Sequence, residues 1–232
     1  MEYESRAISL IYHKYGEGAV IAKVFTEELG LKSYSIKRSS SKKSKNKISL
    51  LANQSLLNIR GKENKKREVQ YINEINLAYP FSNNNFKKNL IRLFFSEILT
   101  KTLMDSEKNK RLFNFVWDYN IALEKAKENE SEFILKFIIE LSYFLGIYPS
   151  SENINFNFFN IDKGVFTQNK NEENLNITGK NLFFFKSLLE NKGVCIPKKN
   201  QRELLEMLFK YYSLHHFDLS NLKSYEIIKS LE

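Results

Sequence analysis

Several common means of holding a small protein together are missing from this chain. One cysteine, Cys195, stands among 232 residues. An internal disulfide is therefore excluded, and so is a four-cysteine metal site. The chain has three histidines. Two of them, His215 and His216, are adjacent, which on a helix turns them about 100° apart and makes them poor joint ligands. No HExxH and no GxxxxGK[ST] occurs, which argues against a zinc hydrolase and a P-loop ATPase. The tripeptide "ENK" at 63–65 and 190–192 has the acid-x-lysine spacing of some metal-dependent nucleases, but it is too short to carry weight in a chain this rich in Asn and Lys. No apolar run approaches the roughly 18 residues that a membrane span needs. The opening "MEYESRAISL" has acids where a signal peptide requires positive charge. These absences predict a soluble, cytoplasmic, non-enzymatic protein with no cofactor and no bound metal.

What is present is charge of one sign, unevenly placed. The formal net charge is +9. Residues 1–80 hold 15 Lys/Arg against 8 Asp/Glu, whereas 81–149 hold 10 against 9 and 150–232 hold 11 against 10. A genome-wide lysine bias would spread evenly; this excess is local. Its densest part is "IKRSSSKKSKNK", where Lys37, Arg38, Lys42, Lys43, Lys45 and Lys47 occur with no acid between them. A second cluster, "RGKENKKRE" at 60–68, supplies Arg60, Lys62, Lys65, Lys66 and Arg67. A concentrated basic field points to a polyanion: nucleic acid, an anionic membrane or an acidic protein tail. Lysines on an exposed loop displace condensed counterions, and serines between them can donate to phosphate oxygens.

Periodicity divides the chain. "RAISLIYHKY" alternates at period two and "GEG" interrupts it. "AVIAKVFTEEL" resumes, Gly30 turns the chain, and "KSYSIK", "ISLLANQSLLNIR" and "EVQYINEINLAY" bring the count to about five strands. Five short strands in some 75 residues suit a small closed barrel, with 37–47 as a basic loop between strands. Tyr12, Tyr15, Tyr34 and Tyr71 are candidates for base stacking, although a tyrosine at any of these positions serves equally as core. Pro80 marks a boundary. From residue 86 the period becomes helical, with apolar stripes over Leu90–Leu103, Leu112–Ala126 and Ile134–Leu145, the last stopped by Gly146 and Pro149. Residues 150–178 read as loops and a small hairpin. Helices are predicted near 180–191, 200–214 and 222–231. The triplet Phe183, Phe184, Phe185 cannot face one way, so one ring must meet a groove, a neighbouring domain or solvent.

The segment from "RAISLIYHKYGEGAVIAKVFTEELG" through the basic stretch to "ISLLANQSLLNI" resembles the opening of the bacterial RecO family of DNA repair proteins. "FFSEILTKTL" at 94–103 is similar to that family's first helix. "FNIDKGVF" at 159–166 and "YYSLHHFDLSNLKSYEII" at 211–228 are similar to its C-terminal segments. Arg38 stands where the family usually has glycine. The resemblance implies an α+β protein: an N-terminal OB-fold antiparallel β-barrel (1–80) followed by an all-α helical domain (81–232). It implies a recombination mediator of the bacterial nucleoid that binds single- and double-stranded DNA and anneals complementary strands. It further implies that, with RecR, such a protein assists loading of RecA onto DNA coated by the single-strand binding protein SSB. The acidic, Phe-ended SSB tail would dock in 81–232, with Lys101, Arg111 or Lys136 as partners for its acids. Many relatives carry a four-cysteine zinc module, which this chain cannot build; 150–178 must replace it. An OB-fold RNA-binding protein and a metal-dependent nuclease are the competing readings.

Overall fold

The computed structural model describes residues 2–52, 54–82, 85–103, 108–127, 130–170 and 175–230, with the side chains of Lys43, Glu130 and Ser131 outside the description. Five strands close into a barrel: β1 (Glu2–Tyr15), β2 (Ala19–Thr26), β3 (Gly30–Lys37), β4 (Leu56–Lys62) and β5 (Val69–Tyr79), in the order β1-β2-β3-β5-β4. The neighbours are antiparallel except β3 and β5, which run parallel over Ser33–Ser35 against Val69–Tyr71. Closure pairs each strand on both sides, although β3 and β5 meet over only three residues, which leaves that seam the most open part of the barrel.

Alternation along the strands sends Ala7, Val20, Ala22, Val24, Tyr34, Ile36, Leu57, Ile59, Ile72 and Ile75 inward. On β1 the burial does not alternate: Ala7, Ile8, Ser9 and Leu10 are all fully buried. Ala7 belongs to the barrel interior, while Ile8 and its register partner Phe25 point to the other side. There Phe25 meets the ring of Phe113, 5.5 Å away, on helix α3 (Lys110–Lys125). Helix α2 (Phe86–Thr102) also packs on β1. Arg6 joins barrel and helix, with a bidentate ion pair to Glu27 and its guanidinium over the rings of Phe113 and Trp117. Two cations on α2 are buried rather than solvated. Lys88 Nζ donates to the carbonyls of Glu124 and Ala126 at the C-terminus of α3, and Arg92 pairs with Glu124 above the ring of Phe81. These groups neutralise the negative end of α3 and satisfy its last carbonyls.

The expectation of a basic loop at 37–47 is corrected. Residues Lys42–Ser49 form helix α1 between β3 and β4. The cause is the serine run. Ser41 is the N-cap, its Oγ accepting from the Ser44 amide at 3.2 Å, and the Ser44 hydroxyl donates to the Lys37 carbonyl at 3.0 Å while accepting from Ser39 N. Ser44, Ile48 and Leu51 then share one side and pack toward the barrel. The serines bind backbone at the helix start instead of keeping a loop open, and the next strand begins only at Leu56.

Two compact units divide the chain. One is Met1–Ala126 together with Leu222–Glu232; the other is Lys127–Asn221. The first contains the barrel, α1 to α3, and α7 (Lys223–Ser230), where Ser224 caps onto the Glu97 carboxylate of α2. The second contains α4 (Glu130–Phe144), α5 (Gly179–Leu189) and α6 (Lys198–Leu214), with a three-stranded sheet of β6 (Phe158–Asn160), β7 (Val165–Thr167) and β8 (Asn176–Ile177) in the order β7-β6-β8. Its core is aromatic: the Phe159 ring lies 5.0 Å from Phe166, 4.7 Å from Phe185 and 6.2 Å from Tyr211. Among the described residues no helix is long and apolar enough to cross a membrane.

Candidate nucleic-acid interface

Helix α1 sorts its lysines by face. Ser44 and Ile48 turn toward the barrel, so Lys42 and Lys45, three positions apart, share the exposed side. Lys47 is half-buried and its Nζ donates to the Asn73 carbonyl of β5 at 2.7 Å, which ties the helix to that strand. The side chain of Lys43 lies outside the described residues. Lys37 and Arg38 are exposed just before the helix, with Arg38 N donating to the Gly18 carbonyl in the β1–β2 turn at 2.8 Å. No acid stands in the first turn of α1. Its first lysines therefore oppose the helix dipole and repel one another, a conflict that an external anion would relieve.

The second cluster divides in two. Arg60 is an outward residue of β4 whose register partners are Glu4 on β1 and Glu74 on β5, and it forms an ion pair with Glu2 at 3.7 Å. Its charge is largely answered within the sheet. Lys62 lies across from Tyr71 in the register, and Arg67 places its guanidinium 5.6 Å from the Tyr71 ring. Lys65, Lys66 and Arg67 occupy the β4–β5 loop and are all exposed. Both basic clusters thus reach β5: Lys47 touches it at Asn73, and Arg67 covers it at Tyr71. Those positions are two residues apart, roughly 7 Å along a strand.

Of the four tyrosines, Tyr34 is corrected: it is fully buried, and the Tyr3 hydroxyl donates to it at 3.2 Å. Burial pushes the Tyr34 hydroxyl far above its ordinary range, so it stays protonated core. Tyr12, Tyr15 and Tyr71 are exposed, Tyr15 and Tyr71 most of all. The register also assembles a face that sequence reasoning missed. His13 of β1, Ile21 of β2, Ser35 of β3 and Tyr71 of β5 form one row, and Ile11, Lys23, Ser33 and Val69 form the next. The β1–β2 turn borders this face at one side and the β4–β5 loop at the other. Small serines at the centre leave room, and Lys23 adds a cation. The isolated lysine in "AVIAKVFT", at an outward position of a period-two strand, was the available signal.

A basic helix, a basic loop and a small-residue face on a five-stranded barrel match the arrangement by which such barrels take oligonucleotides. Comparison with known proteins identifies the family. The family model described as "Recombination protein O N terminal" matches residues 1–81, and the one described as "Recombination protein O C terminal" matches 83–226. The chain belongs to the RecO family. The DNA repair protein RecO of Flavobacterium psychrophilum is 31% identical over 241 residues, covering 100% of this chain and 99% of its own. The DNA repair protein RecO of Azobacteroides pseudotrichonymphae is 30% identical over 239 residues with the same coverage. That of Bacteroides fragilis is 24% identical over 237 residues, covering 97% of this chain and 98% of its own. The RecO similarity thus runs from the barrel through the helices.

The residues expected to meet a partner peptide lie on three different helices. Lys101 lies in the last turn of α2 and Arg111 in the first turn of α3, within the first unit. Lys136 belongs to α4 in the second unit and pairs with Glu132, 3.8 Å away on the same helix. The phenylalanine triplet resolves as Phe185 buried and Phe183 exposed. Phe183 lines a cavity of about 270 Å³ together with Ile154, Asn155, Lys186, Lys192 and Val194.

Proposed function

We propose that this chain is a DNA repair and recombination mediator that binds single- and double-stranded DNA on the barrel and anneals complementary strands. The observation that supports this most is the meeting of the two basic clusters along β5, beside a face with exposed Tyr15 and Tyr71. Cations arranged along one strand can follow a phosphate backbone, and counterion release supplies most of the affinity without reading sequence. Annealing then needs no nucleotide. Two strands held at reduced mutual repulsion can pair, and pairing itself provides the free energy.

Within the same proposal, the protein acts with RecR to assist RecA loading on SSB-coated DNA, and the SSB tail docks in residues 81–232. The cavity beside Phe183 joins apolar Ile154, Phe183 and Val194 with Lys186 and Lys192, and an acidic, Phe-ended peptide would have to displace Glu190 from Lys192, 2.9 Å away, and the Phe156 carbonyl from Lys186. The test is annealing of complementary strands coated with SSB, with and without the full chain and with no ATP. Acceleration is expected. A strict requirement for hydrolysable ATP, or no effect on coated strands alongside tight binding to RNA of the same sequence, would overturn the reading in favour of an RNA-binding barrel. Degradation of labelled DNA in magnesium would favour a nuclease.

A further inference from the structure

Gln70 occupies an inward position of β5, where the alternation calls for an apolar residue; the next inward positions are Ile72 and Ile75. It is 6% exposed, and its register partner is the buried Tyr34. A polar group there is costly unless it is hydrogen-bonded. Gln70 is bonded three times, always to the β4–β5 loop. Its Oε1 accepts from the Asn64 amide at 2.8 Å, and its Nε2 donates to the Asn64 carbonyl at 2.9 Å and the Arg67 carbonyl at 2.5 Å. The loop is cross-braced besides: Asn64 Oδ1 accepts from Lys66 N at 3.0 Å, and Arg67 N donates to the Asn64 carbonyl at 3.0 Å. Every bond goes to backbone, which leaves the side chains of Lys65, Lys66 and Arg67 directed outward and exposed.

We propose that Gln70 is a positioning residue for DNA binding: from inside the barrel it fixes the β4–β5 loop so that Lys65, Lys66 and Arg67 meet the phosphate backbone already ordered. The proposal rests on the DNA-binding reading above. Its physical content is entropic. Fixing one residue's backbone costs on the order of 1–2 kcal/mol. A loop that folds before the ligand arrives does not draw that cost from the binding free energy. A purely structural glutamine would close the turn equally well around any residues. The positioning role requires that its effect on DNA vanish when the three cations are removed.

The test measures binding of a labelled oligo(dT) strand by the full chain, across a salt series. The variants are Gln70→Leu, the triple Lys65→Gln/Lys66→Gln/Arg67→Gln, and the combination of all four. Gln70→Leu is expected to weaken binding about tenfold and to lower the salt slope, by roughly 0.7 for each phosphate that is no longer neutralised. Added to the triple variant, it should change neither quantity. A folded Gln70→Leu chain with unchanged affinity and slope overturns the proposal. So does an equal loss in both backgrounds, which would reveal general destabilisation, and so does a triple variant that binds like wild type. If the triple variant is weakened and Gln70→Leu is not, positioning fails while the DNA-binding reading stands. If wild type does not bind at all, both fail. Should Gln70→Leu not fold, Asn64→Ala at an exposed position removes one brace of the same loop. A loss of about threefold that is absent in the triple background supports the proposal, and no loss overturns it.

Discussion

Gly61 sits where the pairing of β4 with β5 changes register, between Arg60 and Gly61. A Cβ there would lie 2.7 Å from the Tyr3 hydroxyl and 2.8 Å from the Tyr71 carbonyl. The carbonyl cannot yield without moving β5 beneath the candidate interface. Gly61→Ala is therefore expected to destabilise the protein by about 1–3 kcal/mol through overpacking, measured by urea unfolding; a variant as stable as wild type would show that β5 adapts. At the opposite end of the barrel, Arg6 donates to both oxygens of Glu27, at 3.0 and 3.1 Å. Those hydrogen bonds hold the Glu27 carboxyl below its ordinary range against the opposing effect of burial. The folded value is the lower one, so the stability this group contributes is present above the unfolded glutamate pKa of about 4.3 and is lost as pH falls through the folded value. Melting temperatures between neutral and about pH 3 should drop less steeply for Arg6→Gln than for wild type, whatever the variant's stability at neutral pH. Parallel acid limbs would remove the pair from this role.

Helix α1 is an element whose own charges work against it. Lys42 and Lys45 share a face, and such like-charged spacings cost roughly 0.2–0.5 kcal/mol each. The helix persists because Ser41 caps it, Ser44 anchors it to β3, and Ile48 reaches the barrel. Replacing Lys42, Lys43, Lys45 and Lys47 with glutamine should therefore leave the fold intact, the lost Lys47–Asn73 tie being offset by the relief of like-charge repulsion. DNA affinity should fall without regard to sequence. If each lysine neutralises one phosphate, the log–log salt slope should decrease by about 2 to 3 units on single strands. A salt titration of wild type and the quadruple variant decides this, and an unchanged slope in a folded variant would make α1 a solvated surface.

At the scale of the whole molecule, the second unit is expected to be stable without a metal. The sheet β7-β6-β8 packs on a ring cluster, and the Tyr211 hydroxyl donates to the Ile147 carbonyl at 2.5 Å. Phe159 is at its centre and 1% exposed. Phe159→Ala should cost about 3–5 kcal/mol, and prolonged treatment of wild type with a strong chelator should leave the melting temperature unchanged. A chelator-induced drop in melting temperature would mean that a bound ion shares the work of the rings.

The sequence by itself determined the larger divisions: mostly strands before residue 80, mostly helices after it, and a basic excess confined to the first 80 residues. Those follow from periodicity and charge placement, which are local properties, and the motif order from "YHKYGEG" to "SYEII" was enough to indicate the family. What only the tertiary structure decided were matters of which side a residue faces. Tyr34 and Tyr71 read alike in sequence, yet one lies inside the barrel and the other outside. Arg60 and Lys62 stand two apart on one strand, but Arg60 has an acid across from it on both sides, whereas Lys62 faces Glu2 on one side and Tyr71 on the other. The serines at 39–44 read as loop because their short-range bonds to backbone, made once β3 and β4 are in place, leave no periodic trace. Gln70 reads as an ordinary break in an apolar alternation, because its three partners lie in a loop whose path is fixed only when β4 and β5 pair.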